Sequence, residues 1–271
     1  MNNLKPRPKL QLDTAHITAI GGRPSNQDAI AYSIEDDLCC FVIADGTGGH
    51  EGGELAANLV TNGIIEKFKQ EASFSTHALR SYITWAIKQV EKSQEQDPKL
   101  REMSTTIATV LIDQHNHCAL WAHLGDTRIY LFRDGKILSI SKDHSLAQHL
   151  VDAGAADYSK IRLHPQRSVL FAAIGLQGGT ELDVSHETMA LQEGDALILC
   201  SDGFWEWVQD QEMELSLTNS QSSQEWLKRM TTIAEKNIGD KANNRDNFSV
   251  FAIRIHDSTE SIEATDLNNF L

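Results

Sequence analysis

Positive charge is in short supply. Across 271 residues, 24 Lys and Arg face 38 Asp and Glu, a formal net charge of −14. That excludes a general nucleic-acid binder, whose surface must be basic. It does not exclude an anionic substrate, because a bound cation inverts the local field. Long apolar runs are missing too: none approaches the ~18 residues of a membrane span, and the opening "MNNLKPRPKLQLD" has no apolar stretch for a signal peptide. The expectation is a cytoplasmic protein that neither crosses nor binds a membrane. Only four cysteines occur (Cys39, Cys40, Cys118, Cys200), none in CxxC spacing and all in or beside apolar runs. They read as reduced core thiols rather than a disulfide framework or zinc site. With five prolines, no internal repeat and no Pro/Gly/Ser-rich linker, the chain reads as one domain.

Some familiar glycine and histidine motifs are absent as well. The run "DGTGGHEGG" has no Lys to complete GxxxxGK[ST], and Glu51 stands where GxGxxG needs its third glycine. "HEGGE" is not HExxH. Spacing alone therefore disfavours a nucleotide loop and a zinc-protease helix.

What is present is a grouped set of strands. "HITAI", "DAIAYSI" and "LCCFVIA" read as three strands, with adjacent Cys39 and Cys40 on opposite faces of the third. Leu55, Leu59, Val60, Ile64 and Phe68 then recur at helical spacing to about Gln70, and a second helix starts near Ser75. Four strands follow, "TTIATVLI", "CALWAHLG", "RIYLFR" and "KILSIS". A short helix at "SLAQHLVDAG" has Asp143 as the expected N-cap and Gly154 as its stop. Residues 155 to 180 read as an irregular flap. The strand "GDALILCSD", a helix opened by a Ser222/Glu225 capping box and the strand "FSVFAIRI" complete the domain. This order is not a βαβ alternation, which argues for two stacked antiparallel sheets with helices outside.

Asp-Gly occurs three times, in two different settings. Asp134-Gly135 separates two strand-like runs with nothing else between them, a two-residue hairpin turn. Asp45 and Asp202 instead end short, continuous apolar runs of buried-strand character and have no partner strand after them. Asp28, Asp126 and Asp246 also sit at strand ends. Several such carboxylates converging on one sheet edge would repel one another unless cations filled the cluster, and oxygen-only ligands favour hard ions such as Mg²⁺ or Mn²⁺. The glycines after Asp45 let backbone approach an ion. His115, His117 and His144 read as turn or packing residues, Thr105 and Thr106 as strand residues, and Trp205, Trp207 and Trp226 as core.

Taken in order, "RPSNQDA", "FVIADGTGGHEGGELAA", "MSTTIATVLI", "HLGDTRIYLFRDGKI", "SKDHSLAQHLVDAG", "LCSDGFWEWV" and "DNFSVFAIRI" resemble the metal-dependent protein phosphatases of type 2C, in their bacterial form. The resemblance implies an α+β fold, a four-layer α-β-β-α sandwich with two antiparallel sheets flanked by helix pairs. The catalytic domain would span residues 14–256, between an N-terminal extension (1–13) and a polar C-terminal tail (257–271). It further implies a phosphoserine/phosphothreonine phosphatase using water activated by two Mn²⁺ or Mg²⁺ ions, with a third ion in bacterial members. By position, Asp45 matches the aspartate bridging both metals, Gly46 offers its carbonyl, and Asp202 and Asp246 match further carboxylates of the first metal. Asp28 matches the aspartate that acts through water, and Asp126 a ligand of the third metal, shared with Asp202. Arg23 matches the phosphate-gripping arginine; the alternative is an arginine paired with an acid such as Asp28. Gln27 departs from the usual Glu, and Thr47 stands where animal members carry a proposed general acid. Phosphorylated proteins would be the substrates, a Ser/Thr kinase the counter-signalling partner, and the chain a monomer. The rival reading is a pseudophosphatase that binds phosphoproteins without turnover.

Overall fold

The first strand pairs with the last along its whole length, so the two ends of the domain lie side by side. In the computed structural model, residues 8–47, 50–176, 182–240 and 245–257 are described, with backbone alone for residues 50, 51 and 257. Most of the expected C-terminal tail, the first seven residues of the N-terminal extension, and Gly48 and Gly49 lie outside them. Three strands open the chain: β1 (Leu10–Ala19), β2 (Asp28–Glu35) and β3 (Leu38–Thr47). Helices α1 (His50–Gln70) and α2 (Thr76–Gln96) follow. Next come β4 (Ser104–Thr105), β5 (Ile107–Asp113), β6 (Cys118–Leu124), β7 (Arg128–Arg133) and β8 (Lys136–Ile140). After α3 (Leu146–Asp152) stand β9 (Asp183–Val184), β10 (Met189–Ala190) and β11 (Ala196–Cys200). The chain closes with α4 (Asp202–Trp205), α5 (Asp210–Thr218), α6 (Ser223–Ile238) and β12 (Phe248–Asp257).

The strands form two antiparallel sheets. One has the order β1-β12-β11-β7-β8, the other β10-β6-β5-β3-β2, with β4 beside β3 and β9 beside β6. Three apolar layers explain why β3 and β5 read as unbroken apolar runs: both of their faces are covered. Cys40, Val42 and Ala44 pack under α1 and α2, while Cys39, Phe41 and Ile43 meet Phe251, Ile253 and Leu199 of the facing sheet. The third layer joins the outer face of the first sheet to α5 and α6 through Trp226, Met230 and Phe132. Adjacent Cys39 and Cys40 thus occupy different layers, and all four cysteines are free. The expected α-β-β-α sandwich is present.

Asp134 and Gly135 adopt φ of 52° and 71° between Arg133 and its partner Lys136, the left-handed pair that a tight hairpin of twisted strands demands. Other expectations shift. Strand β1 begins at Leu10, ahead of the run "HITAI" read as the first strand, and β12 runs past "FSVFAIRI" through Asp257. The extra length is specified by Asp13, whose carboxylate accepts from Ser223 N (2.6 Å) and whose carbonyl accepts from Ser223 Oγ (2.7 Å) at the start of α6. Ser145, not Asp143, caps α3 by accepting from Gln148 N. Asp143 is committed to Arg128 in a buried ion pair of 2.6 Å. Ser222 caps α6 as expected, but Glu225 completes the cap one residue early, accepting from Gln221 N. Helix α5 has no counterpart among the expected elements.

Candidate active site

Antiparallel pairing of β2 with β3 sets Asp28 directly opposite Asp45. The Asp45 backbone is fully engaged. Its N–H donates to Thr106 Oγ1 (3.0 Å), and its carbonyl accepts from Thr106 N (2.8 Å) and Thr105 Oγ1 (2.9 Å). The main chain is thereby fixed while the carboxylate faces open space. Gly46 N donates to Gln27 O (3.0 Å). A Cβ on Gly46 would fall 2.2 Å from the Gly53 carbonyl oxygen of α1, so only glycine lets the helix approach this turn. Gly46→Ala is therefore expected to push α1 away and cost at least tenfold in turnover, with a melting temperature several degrees lower. Steady-state kinetics and a thermal melt check this, and an unaltered kcat would refute it.

The other acids arrive from separate elements. Asp202 opens α4, whose Gly203 backbone sits so close to Asn247 that a Cβ there would lie 2.0 Å from the Asn247 carbonyl oxygen. Asp126 follows β6, and its carbonyl accepts from the Trp205 indole N–H at 2.8 Å. Asn247 staples the opposite rim: its Oδ1 accepts from Gln27 N, and its Nδ2 donates to the carbonyls of Ile20 and Ser25.

The result is a cavity of about 340 Å³ whose lining includes Arg23, Asp45, Gly46, Asp126, Asp202 and Asp246. All but one of the residues singled out from the sequence are brought together here. The exception, Asp28, stands behind the cavity wall, buried, with Oδ2 accepting from Ser201 Oγ (2.7 Å) and Oδ1 without a partner. Arg23 does pair with an acid, but with Asp246 at 2.5 Å rather than Asp28. Thr47 bonds to Ser104. Residues missed in the sequence also line the space: Arg167 and Glu206, joined as an ion pair, and Trp207. Trp205 and Trp226 are core as expected; Trp207 is a correction, only partly buried and at the cavity. Thr105 and Thr106 are strand-like, yet their hydroxyls do the anchoring of Asp45. His144 packs, accepting from Gly125 N and stacking on His123.

Five carboxylates and two arginines line the cavity. Burial, and then repulsion from Asp28, Asp202, Asp126 and Asp246, holds the Asp45 carboxyl well above its ordinary range. Asp202 is raised by the same two causes, with Asp126 its strongest repeller. Burial and the charge of Asp143 push Asp126 to about 7. Burial raises Asp28 to about 6 despite the hydrogen bond from Ser201. Among the described residues no three acidic, imidazole or thiol groups converge into a ready coordination shell. Asp246 is paired with Arg23. The donor set nonetheless fits hard divalent cations: all oxygen, in negative excess, with a buried unpartnered Asp28 oxygen behind it and a glycine carbonyl at its edge.

The sequence pattern of the family described as Protein phosphatase 2C matches residues 18–245. The serine/threonine phosphatase stp of Listeria monocytogenes serotype 4b (strain F2365) is 28% identical over 210 residues, covering 76% of this chain and 78% of that protein. The serine/threonine protein phosphatase PstP of Mycobacterium tuberculosis (strain H37Rv) is 32% identical over 190 residues, 70% of this chain and 35% of that one. The crystal structure of the PstP catalytic domain, in complex with two manganese ions, superimposes with a TM-score of 0.76 at 26% identity, covering 92% of this chain and all of that one.

Proposed function

The chain belongs to the protein phosphatase 2C family, a metal-dependent protein serine/threonine phosphatase of bacterial type acting on phosphoproteins, and from that premise we propose that the cavity around Asp45 is its catalytic centre. The observation that carries the assignment is the excess of carboxylates over arginines around an aspartate whose backbone is locked by Thr105 and Thr106. Asp45, Asp202 and Asp246, with the Gly46 carbonyl, would hold a pair of divalent cations, and Asp126 with Asp202 would hold a third. Asp28 reaches the same cluster from behind through its unpartnered oxygen. Mn²⁺ and Mg²⁺ both suit such a donor set, and a relative of this fold is known in complex with two manganese ions. When bound, the cations neutralise the ionised carboxylates and acidify water at the reacting phosphorus.

The protein's own groups orient the substrate. Arg23 transfers its guanidinium from Asp246 to the non-bridging phosphoryl oxygens, exchanging one anionic partner for another, and suits a bidentate hold. Its Lys counterpart would bring a point charge without that fork. Gln27, standing where a carboxylate is usual, donates its backbone N–H to Asn247 and contributes no charge to the site. Water in the cavity is the simplest proton donor to the departing Ser or Thr oxygen. A Ser/Thr kinase would supply the phosphoproteins, and the chain would act as a cytoplasmic monomer. No helix of the described residues is long and apolar enough to cross a membrane.

Phosphate release from a phosphothreonine peptide tests this. Turnover is expected with Mn²⁺ or Mg²⁺, and none in EDTA. Arg23→Lys is expected to raise KM by about tenfold, the loss of one charge-assisted hydrogen bond. Turnover that survives EDTA would overturn the assignment.

A further inference from the structure

A second cavity, of about 460 Å³, lies on the other side of the flap segment that walls the catalytic one. Ser168 and Leu170 line the catalytic cavity; the next residues, Phe171 and Ala172, line the second. The segment is held extended between them, for Leu146 N donates to Val169 O (2.8 Å) and Phe171 N to His144 O (3.0 Å). Strand β6 joins the two cavities independently. Asp126, two residues past its end, lines the first, and His123 near its end pairs with Asp183, which lines the second.

Two rings of this cavity's wall, His144 and Phe171, end a ladder of rings that starts behind it. Trp121, His123, His144 and Phe171 follow one another with centroid separations of 5.6, 4.8 and 5.9 Å. The ladder is anchored within one residue of Asp126, since His144 Nδ1 accepts from Gly125 N at 3.0 Å. Its last ring, Phe171, is 60% exposed, an aromatic fixed in place at one edge and wet on the rest. Leu182 and the buried Ala172 and Val184 complete an apolar lining, with Arg80, Asp183 and His186 also at the cavity.

We infer that this second cavity is a substrate subsite that takes an aromatic side chain of the phosphoprotein, near the phosphorylated residue in sequence. The inference rests on the catalytic assignment above, because the phosphoryl group must occupy the first cavity for the peptide to cross the flap into the second. The two cavities adjoin along the flap at Leu170 and Phe171, so at about 3.3 Å per extended residue the aromatic falls roughly two to four residues from the phosphothreonine. The guest ring continues the ladder against Phe171 and removes the exposed face of Phe171 from water. Arg80 and Asp183 offset one another, so net charge selects neither an acidic nor a basic guest.

The test uses a phosphothreonine peptide series in an alanine background, with Phe, Asp or Ala at each flanking position in turn, and para-nitrophenyl phosphate as a substrate too small to leave the first cavity. At one flanking position Phe is expected to raise kcat/KM roughly tenfold over Ala, the scale of burying one aromatic face. Phe171→Ala removes the ladder's end and Ala172→Leu fills the floor; each is expected to flatten that preference while leaving aryl phosphate turnover unchanged. The inference is overturned if Phe gives no advantage at any position, if Asp is preferred to Phe, or if the preference survives both substitutions. A wild-type protein that discriminates nothing yet hydrolyses the aryl phosphate refutes the subsite alone. Failure on the aryl phosphate itself refutes the catalytic assignment and the subsite with it.

Discussion

Asp45→Asn is expected to lower metal-dependent phosphate release by about three orders of magnitude and, at the same time, to raise the melting temperature of the metal-free protein. The activity loss follows from removing a carboxylate assigned to both cations, whose stabilisation of transition-state charge is worth several kcal/mol, at ~1.4 kcal/mol per tenfold. The stability gain follows from the same carboxylate's cost. Without cations, Asp45 faces Asp28, Asp202, Asp126 and Asp246, every one of which raises its pKa. Asparagine keeps the shape and removes one like charge, worth on the order of 1–2 kcal/mol at an effective dielectric near 20, or about 2–6 °C.

The pH dependence carries the same sign. A carboxyl raised above its unfolded value binds more protons folded than unfolded in the interval between the two, so stability falls as pH rises through that interval. Asp28 and Asp126 move from an ordinary 3.8 to about 6 and about 7. Metal-free protein is therefore expected to lose stability from roughly pH 4 to pH 7, and the loss is expected to shrink in Asp45→Asn. Thermal melts in EDTA across that range, beside activity with Mn²⁺, measure both effects. A variant that melts lower than wild type in EDTA, or that keeps its turnover, would sink the account of Asp45 as a charge held for cations.

How far the sequence disclosed this site depended on how local each signal was. Asp134 declared itself a turn because the strand pattern resumes immediately on both sides. Asp45 and Asp202 declared themselves by ending buried runs with no partner strand after them. Both are readings of nearest neighbours. Thr105 and Thr106 were hidden because β-branched residues in a strand already have a sufficient explanation, and their hydroxyl bonds to Asp45 cross 60 residues of chain. Arg167 and Glu206 were hidden for a related reason. One lies in an irregular segment without periodicity and the other just past a four-residue helix, so no spacing rule joins them. Asp143 misled through a real preference: an aspartate before a helix is a good N-cap, but Ser145 is two residues closer and Arg128 demanded the carboxylate.

That demand sets the second large effect, in Asp143→Ala. The side chains of Arg128 and Asp143 are only 1% and 2% exposed, joined by two bonds of 2.7 and 2.6 Å. Deleting the acid strands a buried guanidinium, which costs about 3–5 kcal/mol and lowers the melting temperature by roughly 10 °C. The damage does not stop at stability. Arg128 stacks on Trp205 at 3.5 Å, and the Trp205 indole holds the Asp126 carbonyl, so a restless guanidinium loosens a residue assigned to the third cation. Replacing both partners with apolar side chains, Arg128→Met with Asp143→Leu, separates the two consequences. Such a pair is expected to recover most of the stability, because no charge is left stranded. It is not expected to recover the wild-type Mn²⁺ dependence, because Trp205 loses the cation that clamps its ring. Urea denaturation with a Mn²⁺ titration of turnover resolves the two. A double variant as unstable as Asp143→Ala would contradict the stranded-charge account, and one with wild-type metal dependence would remove Trp205 from the positioning of Asp126.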